Sequence, residues 1–406
     1  MLNFKNGYAK YSGTWLTIMR MNNKLKKYTN QLISPRNINL MIVIGLVGVI
    51  GSLLIIMSRA ASPYVSVEPE NYSLSGNALV VNDSGASGGK AVQFTVGGNS
   101  ANWWKPAQST RWQWVLEGKV TSTDSARFDM YDIDLTDAMP ADTKQDVVWA
   151  GGYKTTVTWP KGSNAGIIAD LKSKSKKVVC YFDTGAFETY EPDAVLFPGK
   201  YGNNVREMNY LGPPEYANWD ILGGKSSASD GSTFAGEYWL DLRESAWPAL
   251  LPIISARMEL AKKIGCDGVE GDQNNVYGND KTFNITEAIS LRWYREIYYQ
   301  SHKYGLTAIS KNGVELTSQQ VTDPTNITYC KPGLCIPDGI LNEECSQYKE
   351  CSTLDIATSK GIWVGQVEYR GTTATVCPDA KAKGRMAMKK PENYAVTQSI
   401  IFACWE

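Results

Sequence analysis

The chain alternates short apolar runs with stretches in which apolar residues return every three or four positions. Lys177–Asp183 (KVVCYFD) is almost continuously apolar, as expected of a strand covered on both faces. Arg127–Leu135 (RFDMYDIDL) alternates polar and apolar residues and ends in Asp132 and Asp134. Trp112–Leu116, Glu237–Leu242, the run ending at Glu270, Leu306–Ser310, Gly339–Glu343 and Ile362–Tyr369 also read as strands. Pro248–Ile264 has helical period and stops at Gly265; Ala165–Lys172 and the region Ile285–Tyr304 are further helices. Eight strands separated by helices or long loops predict a parallel sheet closed into a TIM-type (β/α)8 barrel, spanning residues 109–406.

The C-terminal ends of barrel strands carry chemistry. Two acidic clusters fall at such ends, Cys266–Asp272 (CDGVEGD) and Gly339–Cys345 (GILNEEC). Asp267 opens its strand near the floor. Glu270 closes it and is placed to orient a substrate, and Asp272 sits just above in the loop, within reach of the top face. Strand-end acids also cap helices or bind structural cations. Several clusters on different strands favour a site. Asp132, Asp134, Tyr181, Asp183, Asp241, Arg243, Lys311, Asn312, Glu368 and Tyr369 stand at other strand ends. Of these, Asp132, Asp134, Tyr181, Lys311, Asn312, Glu368 and Tyr369 join Glu270 as candidate substrate contacts. Two carboxyls from different strands, one protonated and one ionised, are what glycosidic cleavage requires.

The chain has one histidine, His302, in a helix closed by Gly305. A Ser-His-Asp triad or a His-rich zinc site therefore has little support, and His302 reads as a helix-surface or hydrogen-bonded residue. No phosphate-binding glycine loop, metal motif or nucleotide fingerprint is present, so neither cofactor nor metal is expected. Trp239 and Trp363, inside strands, read as packing; Trp103, Trp104 and Tyr277 are candidate sugar platforms.

Leu40–Met57 is an uncharged apolar run about long enough to span a bilayer as a helix. Seven basic residues and no acidic ones precede it, which orients the N-terminus to the cytoplasm. The expected organisation is a basic cytoplasmic arm (1–37), a signal-anchor helix (38–58), a Ser/Gly/Asn-rich linker (59–108) and an extracytoplasmic barrel. Cleavage after Ala60-Ala61 is the alternative. Within the linker, Val65–Asn71 and Ala86–Phe94 are similar to the opening strands of carbohydrate-binding β-sandwich modules, which suggests a remnant or stalk.

The 41 basic and 41 acidic residues balance overall. Without the arm, 34 basic residues face 41 acidic ones, a balance that does not suggest nucleic acid and tolerates a cationic ligand. All eight cysteines follow the apolar run, and disulfides are favoured over zinc. Cys345–Cys351 would pin the loop after Glu343, while Cys180 and Cys266 read as buried thiols.

The stretch CDGVEGDQNNVYGN resembles the DGVEPDNVDGY-type signature of glycoside hydrolase family 114, the endo-α-1,4-polygalactosaminidase family. DMYDIDL, VVCYFDTGAFE, EYWLDLRE, ISKNG, NEECSQYKEC and VGQVEY agree in order, so the resemblance runs from Trp112 to Cys377. It implies a TIM-type barrel that cleaves α-1,4-linked galactosamine polymers. By motif position, Asp272 is the nucleophile or charge stabiliser and Glu343 the general acid/base. The sequence departs from the family where Gly271 replaces Pro and where Gln273-Asn274-Asn275 follows Asp272. Thr322–Pro337 reads as an insertion. Two other readings stand beside it: a non-catalytic carbohydrate-binding surface protein on a decayed barrel, and a glycosidase of another α-linked polysaccharide. Asn71, Asn82, Asn284 and Asn326 lie in Asn-x-Ser/Thr sites, relevant where the host glycosylates them.

Overall fold

The computed structural model describes residues 78–82, 90–94, 103–200, 209–227, 233–280, 282–394 and 396–406. The chain divides into two units, Met1–Gln93 and Phe94–Glu406. Ala78–Asn82 and Lys90–Phe94 pair as a two-stranded sheet. The apolar run Leu40–Met57 and the segment Val65–Asn71 lie outside the described residues. No helix among the described residues is long and apolar enough to cross a membrane.

The larger unit is built on eight parallel strands: β1 (Trp112–Val115), β2 (Met130–Asp134), β3 (Lys177–Asp183), β4 (Gly268–Asp272), β5 (Thr307–Lys311), β6 (Gly339–Glu343), β7 (Trp363–Glu368) and β8 (Met386–Lys389). Each pairs with the next in chain order, and Phe402–Ala403 adds an antiparallel edge beyond β8. The sheet curls until its first and last parallel strands meet through side chains. Trp112 Nε1 donates to the Met386 carbonyl at 2.8 Å. Lys390 Nζ donates to Gln113 Oε1 at 2.8 Å and to the Trp114 carbonyl at 2.6 Å. This is a curled parallel α/β sheet of the TIM-like kind.

Side-chain alternation divides the sheet into two faces. Trp112, Trp114, Met130, Val179, Ile309, Leu341, Trp363, Val367 and Met388 pack together inside the curl. Tyr131, Ile133, Val178, Cys180 and Val269, at the intervening positions, pack outward under the helices. Gly365 is required by this interior, because a Cβ there would stand 2.4 Å from the Trp363 ring and 2.9 Å from Trp112. The longer helices are α1 (Ile167–Ser173), α2 (Trp247–Ile264), α3 (Glu287–Lys303) and α4 (Thr373–Ala382). Helix α2 buries Leu250, Ile253, Ile254, Met258 and Leu260, each contributing about 1.5–3 kcal/mol of apolar burial. It ends at Gly265, whose φ of 105° needs a glycine. The Thr286 hydroxyl caps α3 by accepting from the Ile289 N–H at 3.3 Å.

Several expectations need correction. Glu237–Leu242 is not one of the parallel strands. Thr233–Leu240 pairs antiparallel with Ala186–Glu188 and Leu222–Ser227 in a separate three-stranded sheet inserted after β3. An apolar run reveals a strand but not the sheet it joins. The eighth parallel strand is instead the four-residue β8, which ends in Lys389 and is flanked by Arg385 and Lys390, charges that conceal it in the sequence. Strand β2 begins at Met130 because Ser125–Arg127 forms a 3-10 turn. Strand β4 runs through Asp272, and β5 runs through Lys311.

Cys180 and Cys266 are not free thiols. Adjacent β3 and β4 bring them to a Cα separation of 6.1 Å, and they form a disulfide. Cys330–Cys335 closes the Thr322–Pro337 insertion, Cys345–Cys351 closes the loop after Glu343, and Cys377–Cys404 ties α4 to the C-terminal edge. His302 is buried rather than on the helix surface. Its ring nitrogens each lie 2.8 Å from an acceptor, the Leu334 carbonyl and Asp338 Oδ2, and it stacks on Trp103. Trp103 and the Trp104 carbonyl, bonded by Thr307, lie at the N-terminal ends of the strands, away from the acidic cluster. Trp239 and Trp363 are core residues.

Candidate active site

The C-terminal ends of β4, β5 and β6 bring three inward side chains together. Lys311 Nζ lies 2.8 Å from Asp272 Oδ2, 2.9 Å from Glu343 Oε2 and 3.9 Å from Glu270 Oε1. It also stands over the Trp114 ring, 4.8 Å from its centroid. Asp272 further accepts from the Tyr181 hydroxyl at 3.3 Å and from the Gln273 N–H at 2.6 Å. Glu343 accepts from Tyr369 OH at 2.5 Å and from Asn312 Nδ2 at 3.3 Å, and its side chain is 26% exposed toward the top face.

Below them Asp132 and Glu270 are fully buried, and each carboxyl lies within the electrostatic reach of the other. Trp114 Nε1 donates to Glu270 Oε2 at 3.0 Å, while neither Asp132 oxygen meets a protein donor. Two neighbouring buried carboxyls resist ionising together. Burial pushes Asp132 up to about 7, and burial with the Asp132 charge pushes Glu270 well above the usual range. For Glu343, burial works upward but is outweighed by the Lys311 charge and the bonds from Tyr369, Lys311 and Asn312. The carboxyl therefore sits below its ordinary value. Burial would lower Lys311, yet Asp272, Glu343 and Glu270 hold its ammonium well above the usual range.

The residues following these three side chains share an unusual backbone. Gln273, Asn312 and Glu344 have φ of 60°, 51° and 59°. Left-handed conformations in residues other than glycine cost roughly 1–3 kcal/mol each and gather at functional sites. The Glu344 N–H donates to the Val367 carbonyl and the Asn312 N–H to the Leu341 carbonyl, which holds two of these turns in place. This signal had no counterpart in sequence reasoning.

The other expected site residues divide by position. Tyr181 and Tyr369 belong to the cluster. Asp134 lies apart and accepts from the Asp137 N–H at 2.7 Å, shaping the turn after β2; burial raises it to about 7. Glu368 points out of the curl and accepts from the Ser346 N–H and from Gln366. Asp241 forms an ion pair with Arg243, and Asp267 forms ion pairs with Lys172 and Lys177. Tyr277 bonds Glu315. Cys345, Cys351 and Glu368 lie close enough to suggest a metal site, but both sulfurs are already in a disulfide.

Beside β3 lies a group that sequence reasoning missed. The inserted sheet aligns Glu237 directly opposite Glu188, and Tyr190 OH lies 2.8 Å and 3.2 Å from their carboxyls. Burial, with neighbouring negative charge, raises Asp183 and Glu188 well above ordinary values and also raises Glu237. Only the antiparallel register creates this juxtaposition.

A curled parallel sheet with two carboxylates meeting at its C-terminal face has the layout of a glycoside hydrolase. A family model described as glycoside-hydrolase family GH114 matches residues 95–400, and the chain belongs to that family. Among solved structures, Aspergillus fumigatus Ega3 in complex with galactosamine is similar at 22% identity and a TM-score of 0.54. That match covers 75% of this chain and 100% of the other. The glycoside hydrolase domain of PelA from Pseudomonas aeruginosa is similar at 13% identity and a TM-score of 0.43, covering 72% of this chain and 97% of the other. No curated protein matches the chain.

Proposed function

We propose that the protein is a retaining glycoside hydrolase acting on an α-1,4-linked galactosamine-containing polymer, with Asp272 as nucleophile and Glu343 as general acid/base. The spacing of the two carboxylates carries this reading. Asp272 Oδ2 and Glu343 Oε2 bond the same Lys311 nitrogen at 2.8 and 2.9 Å, so they lie closer together than the about 6.5 Å at which inverting pairs begin. Such spacing leaves no room for a water between nucleophile and sugar. Asp272 attacks the anomeric carbon as the C–O bond to the leaving sugar breaks, and Glu343, which its donors favour in the ionised form, gives a proton to that oxygen from its protonated fraction, so acidic pH favours this step. Water then releases the sugar, with Glu343 as base.

Asp183 and Glu237, next to Asp272, are kept from ionising by burial and neighbouring negative charge, which a substrate ammonium placed beside them would relieve; Glu188 is already paired with Arg257. Galactosamine in the Ega3 complex agrees with that choice. Four disulfides suit an oxidising compartment, which fits a barrel held outside the cytoplasm behind the apolar run.

The test is incubation of the purified protein with a galactosamine-rich α-1,4 polymer, alongside Asp272→Asn and Glu343→Gln. Release of oligosaccharides by the parent only, with the first-formed anomer α, is the expected result. A first-formed β anomer would overturn the retaining assignment. Binding without cleavage would favour a non-catalytic carbohydrate-binding protein.

A further inference from the structure

Lys311 is an inward residue at the end of a core strand, and its side chain is only 3% exposed. Chemistry at a glycosidic bond does not call for a buried ammonium between the two reacting carboxylates. Four carboxyls crowd this space: Asp132, Glu270, Asp272 and Glu343. Ionised together in a low-dielectric interior, they would repel one another by several kcal/mol. The single cation resolves that conflict by position. It lies within bonding distance of Asp272 and Glu343 but 3.9 Å from Glu270, which satisfies one oxygen on Trp114 and lies within the electrostatic reach of Asp132.

We propose that Lys311 is the positioning residue of this site. Its one ammonium, bonded to both, sets the separation of Asp272 and Glu343, and the Asp132–Glu270 pair beneath it fixes where that ammonium sits. This inference rests on the assignment of Asp272 and Glu343 as the reacting carboxyls. Lys311 contacts both reacting carboxyls but makes and breaks no bond in this scheme; it acts by holding them.

Several titratable groups surround the ammonium, and Asp183, which accepts from Tyr181 at 2.9 Å, and Glu237 adjoin Asp272 beyond them. Asp272 and Tyr181 approach from β4 and β3, Glu343 from β6, Glu270 and Asp132 from below, and Tyr369 from the end of β7. Trp114 closes the β1 side with its ring face, which favours a cation. Two further features hold the ammonium's own strand. The Tyr294 hydroxyl donates to the Lys311 carbonyl at 3.0 Å, and the Asn312 N–H donates to the Leu341 carbonyl. The lysine is thus fixed at both its backbone and its head group.

The ammonium favours the ionised form of Glu343, so removing it raises that carboxyl. The rate profile needs Glu343 protonated, so its alkaline limb moves to higher pH. A lysine serving only stability would lower the amplitude or the melting temperature and leave that limb where it was.

The experiment is the pH dependence of kcat and kcat/KM for the full protein, Lys311→Met and Lys311→Arg. Lys311→Met is expected to move the alkaline limb, set by Glu343, upward by about one unit or more and to lower kcat at least tenfold, with KM little changed. Lys311→Arg keeps the charge but alters the spacing, so its alkaline limb stays near that of the parent while kcat falls. Should Lys311→Met fail to fold, Lys311→Gln carries the same prediction. Titration of the Glu343 carboxyl by carbon-13 NMR gives a readout independent of turnover. Unchanged Glu343 titration and an unmoved alkaline limb in the neutral variants overturn the proposal. A parent that cleaves nothing overturns the functional reading instead, and the carboxyl titration still decides the role of Lys311.

Discussion

Gly185 lies against Gln273 so closely that a Cβ on the glycine would stand 1.8 Å from the Gln273 carbonyl oxygen. The loop leaving β3 crosses the turn leaving β4 at this point. The Thr184 and Gly185 N–H groups both donate to the Asp272 carbonyl at 3.0 Å. Gly185→Ala must push that turn away, and Asp272 with it. The expected cost is about 1–3 kcal/mol of stability, as for other overpacked sites. A fall in kcat of tenfold or more is expected beyond the stability effect. Urea denaturation and steady-state kinetics on the variant check both, and unchanged kcat would separate the turn from the chemistry.

Tyr369 donates to Glu343 and shares that carboxyl with Lys311 and Asn312. Tyr369→Phe removes one of the donors that hold Glu343 low. The alkaline limb of kcat/KM is expected to move to higher pH, by less than in Lys311→Met because no charge is lost. A stability loss of about 1 kcal/mol should accompany it.

Asp132 makes stability depend on pH in the reverse of the usual sense for a carboxylate. Burial raises it to about 7, so between its ordinary value and about 7 the folded chain holds a proton that the unfolded chain has lost. Stability then falls as pH rises through that window. Asp132→Asn removes this contribution, and its melting temperature should vary less between pH 4 and pH 7 than the parent's. Asp134, also raised to about 7, keeps part of the slope in the variant.

The Cys180–Cys266 disulfide spans 86 residues that include the inserted antiparallel sheet. Chain-entropy arguments put its effect near 4–5 kcal/mol for a loop of that length. Cys180→Ala with Cys266→Ala should lower the melting temperature by well over 5 °C. Glu343, on β6, should retain its titration, which checks that the loss is global rather than local.

Much of this architecture was legible in the order of residues. Alternation puts Glu270 and Asp272 on one face of their strand, and the register between strands brings Asp132, Lys311 and Glu343 to the same face. Their strand-end positions marked that face as the site, and the motifs around Asp272 and Glu343 indicated the family. Less legible was β8, four residues long, ending in Lys389 and flanked by Arg385 and Lys390. EYWLDL looked like a member of the same sheet because an apolar run reports a strand, not its partners.

What the sequence determined by itself was local: where most of the strands and longer helices fall, and which residues alternate along each strand. Those follow from dihedral preference and side-chain period, which act over a few residues. The pairing of Cys180 with Cys266 and the meeting of Glu188 with Glu237 were decided only when distant segments came into register. So was the sharing of one ammonium by Asp272 and Glu343. Each depends on distances of a few ångströms between strands far apart in the chain, and burial then turns those distances into shifted ionisation.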